Sequence, residues 1–154
     1  TPDHVKSLFS IPLPEMIKRS KTNLLRILHY PPLDGGEEPG AIRGAAHEDI
    51  NLITLLVAGT QPGLQVKDNN SNWHNVPCDI GSIAINAGDM LQEASGGYFP
   101  STTHQVINPG NEIKNESRYS MPLFLHPRDE VVLSDRYTAG QYLDERLKEI
   151  GLKE

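Results

Sequence analysis

Three side chains that can bind a metal stand out in the sequence, as one closely spaced pair and one distant histidine. His47 and Asp49 lie two positions apart in AAHEDINLITLL, and His104 follows in STTHQVI. Because side chains at positions i and i+2 of a β-strand point to the same face, a strand here would present His47 and Asp49 side by side. Two histidines and one carboxylate can bind a metal on one face and leave other coordination positions open, as non-haem Fe(II) sites require.

A second polar pair, Arg118 and Ser120, lies two positions apart in ESRYSMPLF. A guanidinium with a neighbouring hydroxyl can bind a carboxylate through two or more charge-assisted hydrogen bonds. The flanking Met121, Leu123 and Phe124 favour a strand that borders a core, and burial of an arginine without an anion is costly. The sequence therefore predicts a site for a carboxylate-bearing co-substrate beyond the last metal ligand.

Each pattern also has an ordinary structural explanation. A His-x-Asp pair is common by chance at strand ends, and short motifs of this kind give many false positives. The chain has six histidines, and His104 could be a core histidine that hydrogen-bonds to the backbone. Arg118 and Ser120 could lie on the outer surface of a sheet. The residue types alone leave both explanations open.

Length and composition limit the class of protein. A chain of 154 residues is long enough for one domain with a real core. The net charge is −6, and no basic stripe interleaved with aromatic residues is present, so we expect no nucleic-acid partner. A single cysteine, Cys78, cannot form a disulfide within the chain, and no apolar run reaches the length of a membrane span. We expect a cytoplasmic protein that does not insert into membranes.

The elements that must position these residues are predicted to be short β-strands. Apolar or alternating runs separated by Gly, Pro and Asn turns are typical of a mainly β sandwich or jelly roll. The runs lie at 23–30, 50–57, 63–66, 73–76, 82–87, 102–107 and 118–125. Residues 90–94 fit a short helix or a strand.

The C-terminal segment has a different pattern, which predicts an amphipathic helix. Thr138 with Gln141 three positions later forms a capping-box sequence. Leu143, Leu147 and Ile150 lie on one helical stripe. We expect this helix to pack on the sheet.

These segments, in this order, resemble the isopenicillin-N-synthase-like family of Fe(II)/2-oxoglutarate oxygenases. The resemblance extends from about Leu24 to Pro127. It includes LRILHYPP, HEDINLITLL, GLQV, INAGDMLQ, SGGYFPSTTHQV and RYSMPLFLHP. It implies a double-stranded β-helix, a distorted jelly roll whose mouth holds the iron.

The resemblance also implies a role for each candidate residue. His47, Asp49 and His104 match the family's Fe(II) ligands. The residues that match the site for 2-oxoglutarate, the co-substrate, are Arg118, Ser120 and Tyr30. The implied reaction is oxidation of a small organic substrate by O2, hydroxylation by default, with release of succinate and CO2.

Departures from the family pattern keep two alternatives open. The family's Asn-x-Tyr is replaced by Leu28-His29-Tyr30, so an asparagine that would contact 2-oxoglutarate is lost. Isopenicillin N synthase shares His-Glu-Asp and uses no 2-oxoglutarate, because its Arg-x-Ser holds the carboxylate of the substrate instead. An iron oxidase of that kind is the first alternative, and a non-catalytic jelly-roll binding module is the second.

The domain boundaries follow from the same resemblance. We expect a partial lead-in segment over residues 1–22 and the oxygenase jelly roll over residues 23–154. Family members carry a substantial N-terminal portion that packs on the barrel and helps to shape the substrate pocket. We expect this portion to be missing here, so that apolar barrel surface is exposed.

Overall fold

Two antiparallel β-sheets form the frame of the computed structural model, which describes residues 1–110 and 114–153. The strands of the described chain are β1 (Leu24–Leu25), β2 (Leu28–Tyr30), β3 (Gly44–His47), β4 (Ile53–Val57), β5 (Leu64–Lys67), β6 (Trp73–Asn75), β7 (Ile83–Ala87), β8 (His104–Val106) and β9 (Arg118–Leu125). The helices are α1 (Asp3–Lys6), α2 (Leu13–Ile17), α3 (Asp89–Ala94) and α4 (Ala139–Glu149).

The strand order places sequence-distant strands side by side. The first sheet has the order β1-β9-β4-β7, and β2 also pairs with β9. The second sheet has the order β3-β8-β5-β6. Because neighbours such as β4 and β9 are far apart in sequence, the connections cross between the sheets, as in a jelly roll. The prediction of a mainly β jelly roll with a C-terminal helix is confirmed.

One predicted strand is divided by a proline in its partner. The run over 23–30 forms two short strands, β1 and β2, and both pair with β9. Between them, Arg26 donates its backbone N–H to the carbonyl of Pro122 at 3.0 Å. Pro122 has no N–H to return the bond, so the ladder is interrupted at this point. The prediction of one continuous strand was therefore wrong, although the register is kept on both sides.

Helix α4 begins at the predicted capping box. Thr138 Oγ1 accepts from the backbone N–H of Gln141 at 3.3 Å, and Thr138 N–H donates to Gln141 Oε1 at 2.9 Å. Leu143 packs against the core, as predicted. Ile150 lies just past the last helical residue and is exposed, so its place on the packed stripe was wrong. None of the described helices is long and apolar enough to cross a membrane.

The hydrophobic core lies on the outer side of the first sheet, near the start of β4 and the end of β7. Ile53 and Ala87 pack against it from these strands. Its buried members are Met16, Leu52, Met90, Leu91, Ala94, Val131, Leu133 and Ala139. Residues 1–22 thus contribute to the core through Met16, which is fully buried.

The other end of the same sheet exposes apolar side chains. Val57 pairs with Met121 and Ile83 across β4, β9 and β7, and all three side chains are exposed. Ile85 and Leu25 are 67% and 59% exposed. Strands β1, β4, β7 and β9 thus each expose an apolar side chain on this sheet.

Candidate active site

His47 and His104 face each other on neighbouring strands. They are directly opposed in the β3–β8 pair, and their ring centroids are 4.3 Å apart. Asp49 is buried beside them, and one ligand atom from each of the three residues lies within 4.8 Å of the others. The three predicted metal-binding side chains are therefore brought together.

The backbone that positions Asp49 beside the histidines differs from the predicted one. Strand β3 ends at His47, so His47 and Asp49 do not lie on one strand, and that part of the argument was wrong. The backbone carbonyl of Asp49 instead accepts the N–H of Asp89 at 2.8 Å, where α3 begins. This contact ties Asp49, two residues after the end of β3, to the start of α3.

Backbone hydrogen bonds fix the tautomers of both histidines. His47 Nδ1 lies 2.7 Å from the carbonyl of Ala45, and His104 Nδ1 lies 2.9 Å from the carbonyl of Thr102. Because a carbonyl can only accept, each neutral ring carries its proton on Nδ1 and keeps a lone pair on Nε2. His104 Nε2 lies 3.7 Å from Asp49 Oδ1. Two imidazole nitrogens and one carboxylate oxygen are therefore available to a divalent cation.

A buried polar network holds the carboxylate of Asp49, which is only 6% exposed. Its Oδ2 accepts from Thr54 Oγ1 at 2.5 Å and from Asn86 Nδ2 at 2.9 Å. Asn51 Nδ2 donates to Thr54 Oγ1 at 2.8 Å. Both donors bind Oδ2, so Oδ1 faces His104. Sequence reasoning missed these residues; the only local signal was a polar Thr54 within an apolar strand.

We expect Thr54→Val to weaken Fe(II) binding by about 10- to 100-fold, because residues that orient metal ligands contribute on this scale. The measurement is the Fe(II) dissociation constant by anaerobic competition with a chelator. Thr22→Val removes a half-buried hydroxyl that bonds to Ser20, in the segment before β1, and serves as the control. Equal affinities for the two variants would exclude this role for Thr54.

Arg118 and Ser120 both point inward from β9, as predicted. Arg118 is 2% exposed and Ser120 is 5% exposed. Arg118 Nε donates to the carbonyl of Gln61 at 3.0 Å, whereas its buried Nη1 has no hydrogen-bond partner among the described residues. Burial lowers the pKa of Arg118 below its ordinary value. A buried guanidinium can bind an anion that enters the site.

Tyr30 completes this end of the site. It is the β2 residue opposite Arg118, and the Arg118 guanidinium carbon lies 5.4 Å from the centroid of its ring. Leu28 lies opposite Ser120 in the same strand pair. An apolar side chain therefore occupies the position at which the resemblance implies an asparagine.

One cavity of about 370 Å³ between the two sheets joins the metal-binding side chains to the arginine. Its volume lies within the range of roughly 300–1,000 Å³ that is usual for small-molecule sites. The polar lining residues are Tyr30, His47, Asp49, Thr54, Asn86, Thr102, His104, Arg118 and Ser120. Apolar side chains form the rest of the wall. A small carboxylate-bearing molecule can thus reach a metal ion and Arg118 at the same time.

Comparison with known proteins identifies the family. The 2OG-Fe(II) oxygenase superfamily model matches residues 21–127. A 2-oxoglutarate-dependent dioxygenase of Monascus ruber is 33% identical over 127 residues, which cover 79% of this chain and 36% of the relative. The chain therefore spans about a third of the length of that curated relative.

Solved structures agree with this match. The crystal structure of a Shewanella oneidensis protein assigned to the oxygenases is 64% identical, with a TM-score of 0.88, over 99% of this chain and 56% of that protein. A full-length Neurospora crassa protein in complex with alpha-KG is 28% identical, with a TM-score of 0.76, over 87% of this chain and 46% of that protein. The chain belongs to the 2OG-Fe(II) oxygenase superfamily, as its sequence resemblance indicated.

Proposed function

We propose that this chain carries the iron and co-substrate site of an Fe(II)- and 2-oxoglutarate-dependent dioxygenase. The reaction is oxidation of a small organic substrate by O2, by default hydroxylation, with release of succinate and CO2. One observation carries the proposal: a single cavity is lined by the two histidines and the aspartate and also by the buried Arg118 and Ser120.

His47, Asp49 and His104 would hold Fe(II). The donor set fits this ion, because two neutral imidazoles and one carboxylate form the facial triad of non-haem iron oxygenases. When bound, Fe(II) supplies the one-electron and oxygen chemistry that amino-acid side chains lack. The protein orients the donors through the Nδ1 hydrogen bonds of the histidines and holds Asp49 through Thr54 and Asn86.

Arg118, Ser120 and Tyr30 would hold the carboxylate of 2-oxoglutarate that lies far from the metal. The guanidinium of Arg118 fits this group, because it is buried, lines the cavity and can form charge-assisted hydrogen bonds to a carboxylate. The Ser120 hydroxyl adds a donor beside it. The apolar wall around this end excludes water and strengthens both interactions.

An iron oxidase that uses no 2-oxoglutarate is the second candidate. It is favoured by Leu28, which lies opposite Ser120 in place of the implied asparagine. In that case Arg118 and Ser120 would bind a carboxylate of the substrate itself. The Neurospora crassa neighbour in complex with alpha-KG supports the first candidate. A non-catalytic binding module has no need for the intact donor set.

Formation of succinate from 2-oxoglutarate tests the proposal. We expect the chain with Fe(II) and O2 to release succinate slowly even without its prime substrate, and Asp49→Ala to release none above background. Absence of succinate from a chain that binds Fe(II) stoichiometrically would favour the oxidase. The cytoplasmic location, the absence of a nucleic-acid partner and the domain boundary at residue 23 stay predictions.

A further inference from the structure

Asn86 is a polar residue of the cavity wall, and the proposed function uses only one end of its side chain. Its Nδ2 donates to Asp49 Oδ2 at 2.9 Å. Because a carboxylate oxygen accepts, the nitrogen of the amide faces Asp49 and the carbonyl oxygen, Oδ1, points away from it. Oδ1 receives no hydrogen bond from any described residue, and it is accessible to a molecule of the size of water. Asn86 Oδ1 is therefore an open acceptor on the wall of the cavity.

Strand pairing places this acceptor beside the metal-binding side chains. Asn86 lies opposite Thr54 in the β4–β7 pair, and both side chains line the cavity. The carboxylate to which the amide bonds belongs to Asp49, whose other oxygen lies 3.7 Å from His104 Nε2. A molecule that donates a hydrogen bond to Asn86 Oδ1 is therefore held next to the metal-binding residues.

The cavity has room for a second molecule beside a co-substrate. Its volume of about 370 Å³ is more than twice the roughly 150 Å³ of an apolar cavity that holds benzene. Much of the wall is apolar, including Leu56, Val66 and Phe124. A molecule that occupies the remaining space can therefore bury an apolar body against these side chains.

The charges at the site leave none to pair with a charged substrate. The lining residues with a full charge are Asp49 and Arg118, since the two histidines present neutral rings to a metal. In the proposed function, the positive charges of Fe(II) and Arg118 equal the negative charges of Asp49 and 2-oxoglutarate. A further charged group would be buried without a partner, which is costly.

We propose that Asn86 Oδ1 accepts a hydrogen bond from the prime substrate, which is an uncharged, mainly apolar molecule with an O–H or N–H group. The inference rests on the proposed function, because it assumes that Fe(II) and 2-oxoglutarate occupy the charged groups of the cavity. One amide then holds the metal-binding carboxylate through its nitrogen and the substrate through its oxygen.

Two isomeric probes test the hydrogen bond. Benzyl alcohol has an O–H donor, whereas anisole has the same atoms but only an ether oxygen, which cannot donate. The full chain is loaded anaerobically with Fe(II) and saturated with 2-oxoglutarate, and each probe is titrated by proton NMR. Paramagnetic Fe(II) shifts or broadens the signals of a probe bound beside it, and protein loaded with Zn(II) gives the diamagnetic reference. We expect benzyl alcohol to bind about 3- to 10-fold more tightly than anisole, the net contribution of one hydrogen bond.

A third probe tests the expected lack of charge. Benzylammonium, the cation that benzylamine forms at neutral pH, keeps an apolar ring and N–H donors. It should bind at least about tenfold more weakly than benzyl alcohol, because no opposite charge is left to pair with it. Binding of benzylammonium as tight as that of benzyl alcohol would overturn the inference of an uncharged substrate.

Asn86→Leu removes the acceptor, so its preference for benzyl alcohol over anisole should disappear. This variant also removes a donor to Asp49, and Thr54→Val is therefore the matched control. Thr54→Val removes the other donor to Asp49 Oδ2 and leaves Asn86 Oδ1 in place, so it should keep the preference. Both variants are compared at excess Fe(II), with the iron content measured in each sample.

Equal affinities of the two isomers for the unmodified chain, or binding of neither beside the metal, would overturn the inference even if a variant does not fold. A preference that persists in Asn86→Leu would overturn it as well. Loss of the preference in Thr54→Val would show that the position of Asp49, rather than the Asn86 acceptor, decides selectivity. Failure of the Fe(II)-loaded protein to bind 2-oxoglutarate would instead contradict the proposed function.

Discussion

His104→Ala is expected to abolish stoichiometric Fe(II) binding. His104 supplies one of three ligand atoms that lie within 4.8 Å of one another, and its Nδ1 hydrogen bond presents Nε2 to the metal. Two remaining protein ligands rarely hold Fe(II) against water, because the ion exchanges its ligands readily with solvent and with other chelators. The measurement is the iron content of protein loaded under anaerobic conditions and then desalted.

His74→Ala provides the control for this prediction. His74 lies on β6, which is separated from β8 by β5 in the second sheet, and it bonds to Asp68 at 2.7 Å on the surface. We expect this variant to retain one Fe(II) per chain. Circular dichroism should show that both variants are folded. Stoichiometric iron in folded His104→Ala would eliminate the proposed triad.

Arg118→Ala is expected to weaken 2-oxoglutarate binding by at least about 30-fold while Fe(II) binding is retained. Loss of one partner from a buried hydrogen-bonded charge pair costs about 2–5 kcal/mol, which corresponds to this factor or more. The 2-oxoglutarate dissociation constant of the Fe(II)-loaded protein is the quantity to measure.

Two further variants separate the role of the charge from that of packing. Arg118→Lys keeps a positive charge but cannot form the two-pronged contact, so an intermediate affinity is expected. Arg26→Ala removes an exposed arginine that lies over the ring of Phe124, a residue of the cavity wall, and it should bind 2-oxoglutarate normally. An unchanged 2-oxoglutarate affinity in folded Arg118→Ala would show that the carboxylate binds elsewhere.

The sequence predicted which residues form the site better than it predicted how the backbone positions them. Arg118 and Ser120 do lie two apart on one strand, so the period of the strand places both side chains in the cavity. Asp49 reaches the same cavity although β3 ends at His47. Its position depends on a hydrogen bond to the start of α3, and no local pattern in the sequence encodes that contact.

Long-range pairing explains what the sequence could not predict. Thr54 and Asn86 are opposite residues of the β4–β7 pair, and only this register brings both side chains to Asp49. The packing of Gly59 against Arg118 likewise joins residues that are far apart in the chain. A run of apolar residues predicts that a strand exists, whereas the partner and register of that strand depend on the whole fold.

An anaerobic titration of the Fe(II)-loaded protein with 2-oxoglutarate tests the central claim most directly. A keto acid that chelates Fe(II) gives a visible metal-to-ligand charge-transfer band, which protein or 2-oxoglutarate alone does not give. We predict a band that saturates at one 2-oxoglutarate per iron. In Arg118→Ala the same band should require much higher concentrations of 2-oxoglutarate. Stoichiometric iron without a band would contradict the claim that the metal and the co-substrate share this cavity.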